Sequence, residues 1–156
     1  LKAASELPED DQILILERLI QVDIDLAEST GNNGYRVEAI EKINKVISCG
    51  WDTYDTYDTL AVLYEKQQDL QSVEQTLTQM LSKYGADYNI YKRLAFLEID
   101  KQELLSNYNR DYSQFVGYYE MAVQMYDEQL QNNKTDLEMD LLMDVYQQVK
   151  AGGWLS

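Results

Sequence analysis

The densest run of side chains able to do chemistry is Asp52-Thr53-Tyr54-Asp55-Thr56-Tyr57-Asp58-Thr59. Its three carboxylates stand three residues apart, so on a helix they spiral slowly around the axis and do not converge on one point. A calcium loop needs alternating oxygen ligands around a central glycine, and this run has neither. A pair of carboxylates could serve acid–base chemistry, but in a chain with 28 acids such a pair carries no weight. The chain has no histidine, so a Ser–His or Cys–His nucleophile cannot be assembled. Gly31 and Gly34 flank two asparagines with no Lys-Ser/Thr behind them, which excludes a phosphate loop. The one cysteine, Cys49, cannot form an internal disulfide and reads as a small apolar residue at a helix end. The expectation is a non-catalytic chain with no cofactor and no metal. The acids of the run then start a helix, where negative charge meets the positive end of the dipole. The competing reading has Asp55, Asp58 and Thr59 receiving basic side chains of a ligand.

The charge balance narrows the partners. Formal charge is −15, from 28 acids against 13 bases. That opposes binding to a phosphate backbone, which needs a clustered basic face, and to anionic membrane surfaces. A basic protein or peptide fits. No run of about 18 apolar residues is present to span a membrane, and no signal peptide is visible. A reducing cytoplasm is the expected compartment. The chain opens at Leu1, not Met, and is expected to be a fragment, so an anchor can lie outside it.

The elements that must position these groups are helices. The 156 residues amount to one domain, 45% apolar, with one proline and seven glycines; so few breakers favour an all-α fold. Thirteen tyrosines against two phenylalanines, Phe96 and Phe115, suit half-buried seams between helices. Pro8 opens a first helix running to about Ser29, followed by a Gly31–Gly34 loop. A second helix spans about Tyr35 to Ser48, with Ala39, Ile43 and Val46 inward and Val37, Ile40 and Ile47 broadening that stripe. Asp52 is expected to cap the next helix, which carries Tyr57 to Glu65. Another runs from Asp69 to Tyr84 and stops at Gly85, and Asp87 caps one starting at Tyr88.

The helices repeat. Tyr57, Leu60, Ala61 and Tyr64 share one face, and Tyr91, Leu94 and Ala95 restate the first three at a constant offset of thirty-four positions. Leu26-Ala27 precedes Leu60-Ala61 by the same offset, and so do Ala39, Ile43 and Val46 with respect to Val73, Leu77 and Met80. The third repeat is longer: Val73 follows Ala61 by twelve positions, but Ala122 follows Ala95 by twenty-seven. Leu104, Leu105 and Tyr108 continue the first stripe at helical spacing, and Tyr112, Phe115 and Val116 lead into Tyr119 and Ala122. These spacings predict a long hairpin turning near Asn107 to Asp111, with about two extra turns on each helix. Gly117 would allow a close helix contact. Asn132-Asn133 ends that helix, and Thr135 with Glu138 forms a capping box. A last helix carries Met139, Leu142, Met143 and Tyr146 and stops at Gly152-Gly153. Trp154 is expected to fold back over it. The organisation is a single domain 1–156, with repeats 8–50, 51–85 and 86–133, a capping helix 135–151 and a tail 152–156.

These residues resemble the tetratricopeptide repeat over about residues 20 to 130. That family's first helix carries an aromatic, a Leu, a small residue and a Tyr, as Tyr57, Leu60, Ala61 and Tyr64 do. Asp23 stands where the first repeat would have its aromatic, Thr30 where it would have its Tyr, and Glu98 where the third would have its Tyr. The resemblance implies a right-handed solenoid of about seven antiparallel helices with the third hairpin elongated. It also implies a concave groove lined by the first helices. By matching phase the groove would include Asp55, Asp58, Thr59, Val62, Glu65, Asn89, Lys92, Arg93, Phe96 and Asp100. Lys92 and Arg93 sit at phases used by a carboxylate clamp in some members, but the clamp's asparagines are replaced by Val62 and acids, so carboxylate capture is not expected.

The implied function is a protein–protein interaction module holding a protein or peptide, of basic character, on its concave face. Two other readings stand. The tail Gly152-Gly153-Trp154-Leu155 is similar to the C-terminal repeat region of some bacterial serine/threonine protein kinases, although the chain has no Gly-rich loop, His-Arg-Asp or Asp-Phe-Gly. The chain would then be a sensing appendage. Alternatively it is a scaffold segment that self-associates.

Overall fold

The computed structural model describes residues 7–129 and 136–152. Among them are seven α-helices and no strand: α1 Glu9–Thr30, α2 Asn33–Ser48, α3 Tyr54–Lys66, α4 Leu70–Tyr84, α5 Tyr88–Glu103, α6 Ser113–Gln129 and α7 Leu137–Ala151, with a 3-10 turn at Asn107–Asn109. The protein is all-α. No helix of the described residues is long and apolar enough to cross a membrane. The chain falls into two compact units, Leu1–Asp69 and Leu70–Ser156.

In the first unit α1 packs on α2, and α2 on α3. Pro8 precedes the first turn as its cap residue, and Glu9, Asp10 and Asp11 face the positive end of the dipole. Gly31, at φ 71, ends α1 by donating its N–H to the Ala27 carbonyl at 2.9 Å. The expected four-residue loop is shorter. Asn32 caps α2 by accepting the Gly34 N–H at 2.9 Å, which puts Asn33 and Gly34 in the first turn. Ala39, Ile43 and Val46 are buried as their spacing requires, with Ile40 beside them, but Val37 faces out. The cap of α3 also differs from expectation. Thr53 takes that place, its N–H donating to Thr56 Oγ1 at 2.9 Å, while Asp52 accepts the Tyr57 hydroxyl at 2.7 Å. Ile20, Ala39, Ile43, Val46, Leu60 and Leu63 form the core, with Leu16, Ile24, Trp51 and Tyr64 at its margin.

In the second unit α5 packs on α4, α6 and α7, and α6 also meets α7. Gly85, at φ 84, ends α4 through the Leu81 carbonyl, and the Asp87 carboxylate caps α5 by accepting the Ile90 N–H at 3.1 Å. Val73, Leu77, Met80, Leu94 and Ala95 are buried.

α5 and α6 pack on each other across a turn that includes Asn107–Asn109, where the spacing places it, but α5 falls short of the two extra helical turns expected. α5 stops at Glu103 with 16 residues and α6 has 17, against 13 and 15 in α3 and α4. The extra chain is a built loop: the Asp111 N–H donates to Gln102 Oε1 at 2.8 Å, and Arg110 Nε donates to the Leu105 carbonyl at 3.0 Å. Leu104, Leu105 and Tyr108 therefore leave the helix and are exposed, Tyr108 fully. Gly117 is exposed and has nothing within 4 Å of the position its Cβ would take, so it permits no close helix contact.

Aromatic rings fill the seams as the tyrosine count suggests. Phe115 stacks on Tyr119 at 6.1 Å, and Tyr119 meets Tyr146 at 4.7 Å. Asp136 caps α7 by accepting the Glu138 N–H at 3.0 Å. Met139, Leu142 and Val149 are its buried stripe, and Met143 is outside it. Asn132, Asn133, Thr135, Gly153, Trp154 and Leu155 lie outside the described residues.

Candidate functional site

The first unit carries a cleft of about 300 Å³ between α1 and α3. Its floor is apolar: Ile20 and Ile24 from α1, with Ile43 and Val46 from α2. Its rim is polar: Glu17 and Gln21 from α1, and Thr53, Asp55, Thr56 and Thr59 from the start of α3. Helical period explains the set. Glu17, Gln21 and Ile24 are four and three apart on α1, and Asp55 and Thr59 are four apart on α3. Thr53 and Thr56 are engaged with each other in the cap, leaving the two exposed carboxylates, Glu17 and Asp55, as the charged groups of the rim.

Glu28 and Lys66 lie further along the same two helices, at equal steps beyond Glu17 and Asp55, and they form an ion pair. That contact holds the Glu28 carboxyl below its ordinary range, chiefly through the hydrogen bond from Lys66. Lys66 is therefore already paired, whereas among the described residues no ion pair engages Glu17 or Asp55.

Of the groove residues expected on α3, Asp55 and Thr59 line the cleft. Asp58 is half-buried, and Val62 and Glu65 are exposed further along the helix. Asp52, the first acid of the run, is occupied by the Tyr57 hydroxyl and acts in the fold. The α1 side of the cleft was missed, although the signal was present. Carrying Asp55 and Asp58 back by one repeat period gives Gln21 and Ile24, both of which line it.

The expected groove residues of α5 are in the second unit. Lys92 is held there by two carboxylates, with Nζ 3.2 Å from Asp136 Oδ2 and 3.1 Å from Glu138 Oε1, and it lies 5.1 Å over the Tyr88 ring. Phe96 packs against the core cluster of Phe115, Tyr119 and Leu142. Asn89 and Arg93 are half-buried, and Asp100 is exposed. A second cleft of about 440 Å³ lies along Leu70, Glu74 and Thr78 of α4, with Lys101 at its edge. Burial works against the Lys101 charge, yet hydrogen bonds to Glu74 at 2.6 Å and Glu98 at 3.1 Å outweigh it and raise its pKa above the ordinary lysine value. Its charge is thus spent inside the fold.

Among the described residues no cluster of three or more Cys, Asp or Glu side chains could hold a metal ion. Comparison with family models, with curated proteins and with solved structures returns no match. What the chain does has to be argued from the cleft itself.

Proposed function

We propose that this chain is a non-catalytic interaction module, a right-handed solenoid of antiparallel, tetratricopeptide-like hairpins. It holds a basic, apolar-anchored segment of a partner protein between α1 and α3. The observation that supports this is the composition of the cleft. Four aliphatic side chains form its floor, the acids Glu17 and Asp55 stand on its rim, and Lys66, further along α3, is already paired with Glu28. An aliphatic partner side chain would be desolvated on the floor, and a flanking lysine or arginine would meet the rim acids. The chain's charge of −15 would steer such a segment and repel acidic ones.

The test uses a labelled peptide alternating lysine with leucine and a matched peptide alternating glutamate with leucine, read by fluorescence polarisation. The lysine peptide should bind and the glutamate peptide should not. The double variant Glu17→Lys/Asp55→Lys should weaken binding at least about tenfold, roughly 1.4 kcal/mol, with the helical fold retained and only the small loss of stability that a base in the first turn of α3 brings. Equal binding of both peptides, or an unaffected double variant, overturns the reading.

A further inference from the structure

The side of α1 turned away from the cleft carries a second apolar stripe. Ile15, Leu19, Val22 and Leu26 are spaced four, three and four, the seam of a helix that packs along a second helix. Leu19 and Val22, at its centre, are 43% and 50% exposed.

The internal repeat shows what such a stripe is for. Moving Leu26 by one and two repeat periods lands on Leu60 and Leu94, and moving Val22 by two periods lands on Ile90. Leu60 is 4% exposed, and Ile90 and Leu94 are fully buried. In each compact unit that helix packs on the one before it in the chain, α3 on α2 and α5 on α4. On α1 the same face is open among the described residues, with Leu19 and Val22 exposed.

We propose that α1 of a second copy of this chain covers the stripe, lying antiparallel to it. In that arrangement Ile15 meets Leu26 of the second copy and Leu19 meets Val22, so all four positions of both helices are used. Arg18 and Asp25, both exposed, flank the stripe on the same side. The antiparallel register sets Arg18 of each copy beside Asp25 of the other, giving two symmetric ion pairs. A parallel register would direct Arg18 towards Asp23, which is buried and bound to Lys42 at 2.5 Å. A seam of four layers is small beside a standard protein interface, so the dimer is of modest affinity. It leaves the α1–α3 cleft open and does not depend on the cleft's ligand.

Sedimentation velocity of the full chain over a dilution series, from about millimolar to about micromolar, tests this. The expected result is a monomer–dimer equilibrium. Leu19→Glu should be monomeric throughout with unchanged helicity and melting. Arg18→Asp and Asp25→Arg should each weaken the dimer at least about fivefold, and Arg18→Asp/Asp25→Arg together should restore it. A wild-type chain that stays monomeric at the highest concentration overturns the proposal, as does a dimer indifferent to Leu19→Glu. A double variant no tighter than the singles also overturns it, because it removes the antiparallel pairing.

Discussion

Asp23 of α1 and Lys42 of α2 form an ion pair, Oδ2 to Nζ 2.5 Å, with the Asp23 side chain only 9% exposed. The pair stands where the repeat pattern has an aromatic, Tyr57 and Tyr91 in the later repeats. Polar chemistry has replaced a ring at a helix seam. Removing Lys42 alone leaves a buried carboxylate uncompensated, so Lys42→Ala should destabilise by about 1–3 kcal/mol. The double variant Asp23→Leu/Lys42→Met should lie close to wild type, since an apolar pair of similar volume substitutes well for a buried ion pair. Urea denaturation checks both, and a double variant weaker than the single would refute the argument.

Leu26, Leu60 and Leu94 share one register but not one environment. Leu60 and Leu94 are buried and Leu26 is half-buried. Leu60→Ala and Leu94→Ala should each cost about 2–5 kcal/mol. Leu26→Ala should cost well under half of that in dilute solution, where its stripe is uncovered. If Leu26→Ala matches the other two in a monomer, the stripe is covered from within the chain.

Helical spacing made most of this fold legible, and one stretch shows where it stops. Leu104, Leu105 and Tyr108 continue the α5 stripe in register, so a period alone reads them as helix. The chain leaves the helix because Gln102 and Arg110 satisfy the loop backbone through side chains, and such bonds leave no periodic trace. The cleft was half legible for a related reason: phase placed Asp55 and Thr59, but the α1 wall needed the same phase carried one period back. The departures at Asp23 and Glu98 were visible as mismatches. Their partners, Lys42 and Lys101, were not, since nothing in one dimension links a carboxylate to a particular lysine. The loop reading is checked simply. Leu104→Ser and Tyr108→Ser should change stability by less than about 0.5 kcal/mol, whereas Phe115→Ala should cost about 3–5 kcal/mol.

The second unit should have a distinct alkaline limit. Burial raises the Tyr118 and Tyr119 pKa values above the ordinary 10.0; nearby Glu98 and Glu74 add to Tyr118, and Tyr146 and Asp140 to Tyr119. A folded pKa above the unfolded one means a contribution fully present below pH 10.0 and lost as pH rises through the folded value. Lys101 acts in the same direction, raised above 10.5 by its bonds to Glu74 and Glu98 after burial has opposed it. Stability should therefore fall steeply above about pH 10, together with a late phase of tyrosinate absorbance. Tyr119→Phe should reduce both the late absorbance and the slope. An unchanged slope would assign the alkaline transition to other groups.

Lys92 separates a role in the fold from a role in binding. The resemblance to tetratricopeptide repeats would have it reach a ligand, but its ammonium lies between Asp136 and Glu138 at the start of α7, over the face of Tyr88. Asp136 also caps α7, so two of the groups that fix that helix end share one lysine. Lys92→Met keeps the aliphatic stem and deletes the charge. It should destabilise the second unit by about 1–2 kcal/mol, since the Lys92 side chain is only 12% exposed while Glu138 stays in water. Asp136→Ala should cost a similar amount through the lost cap. The two losses should be less than additive, because each removes the same Lys92–Asp136 contact. Binding of the lysine–leucine peptide should be unaffected by Lys92→Met wherever the chain remains folded. A large loss of binding without loss of stability would instead return Lys92 to the ligand surface.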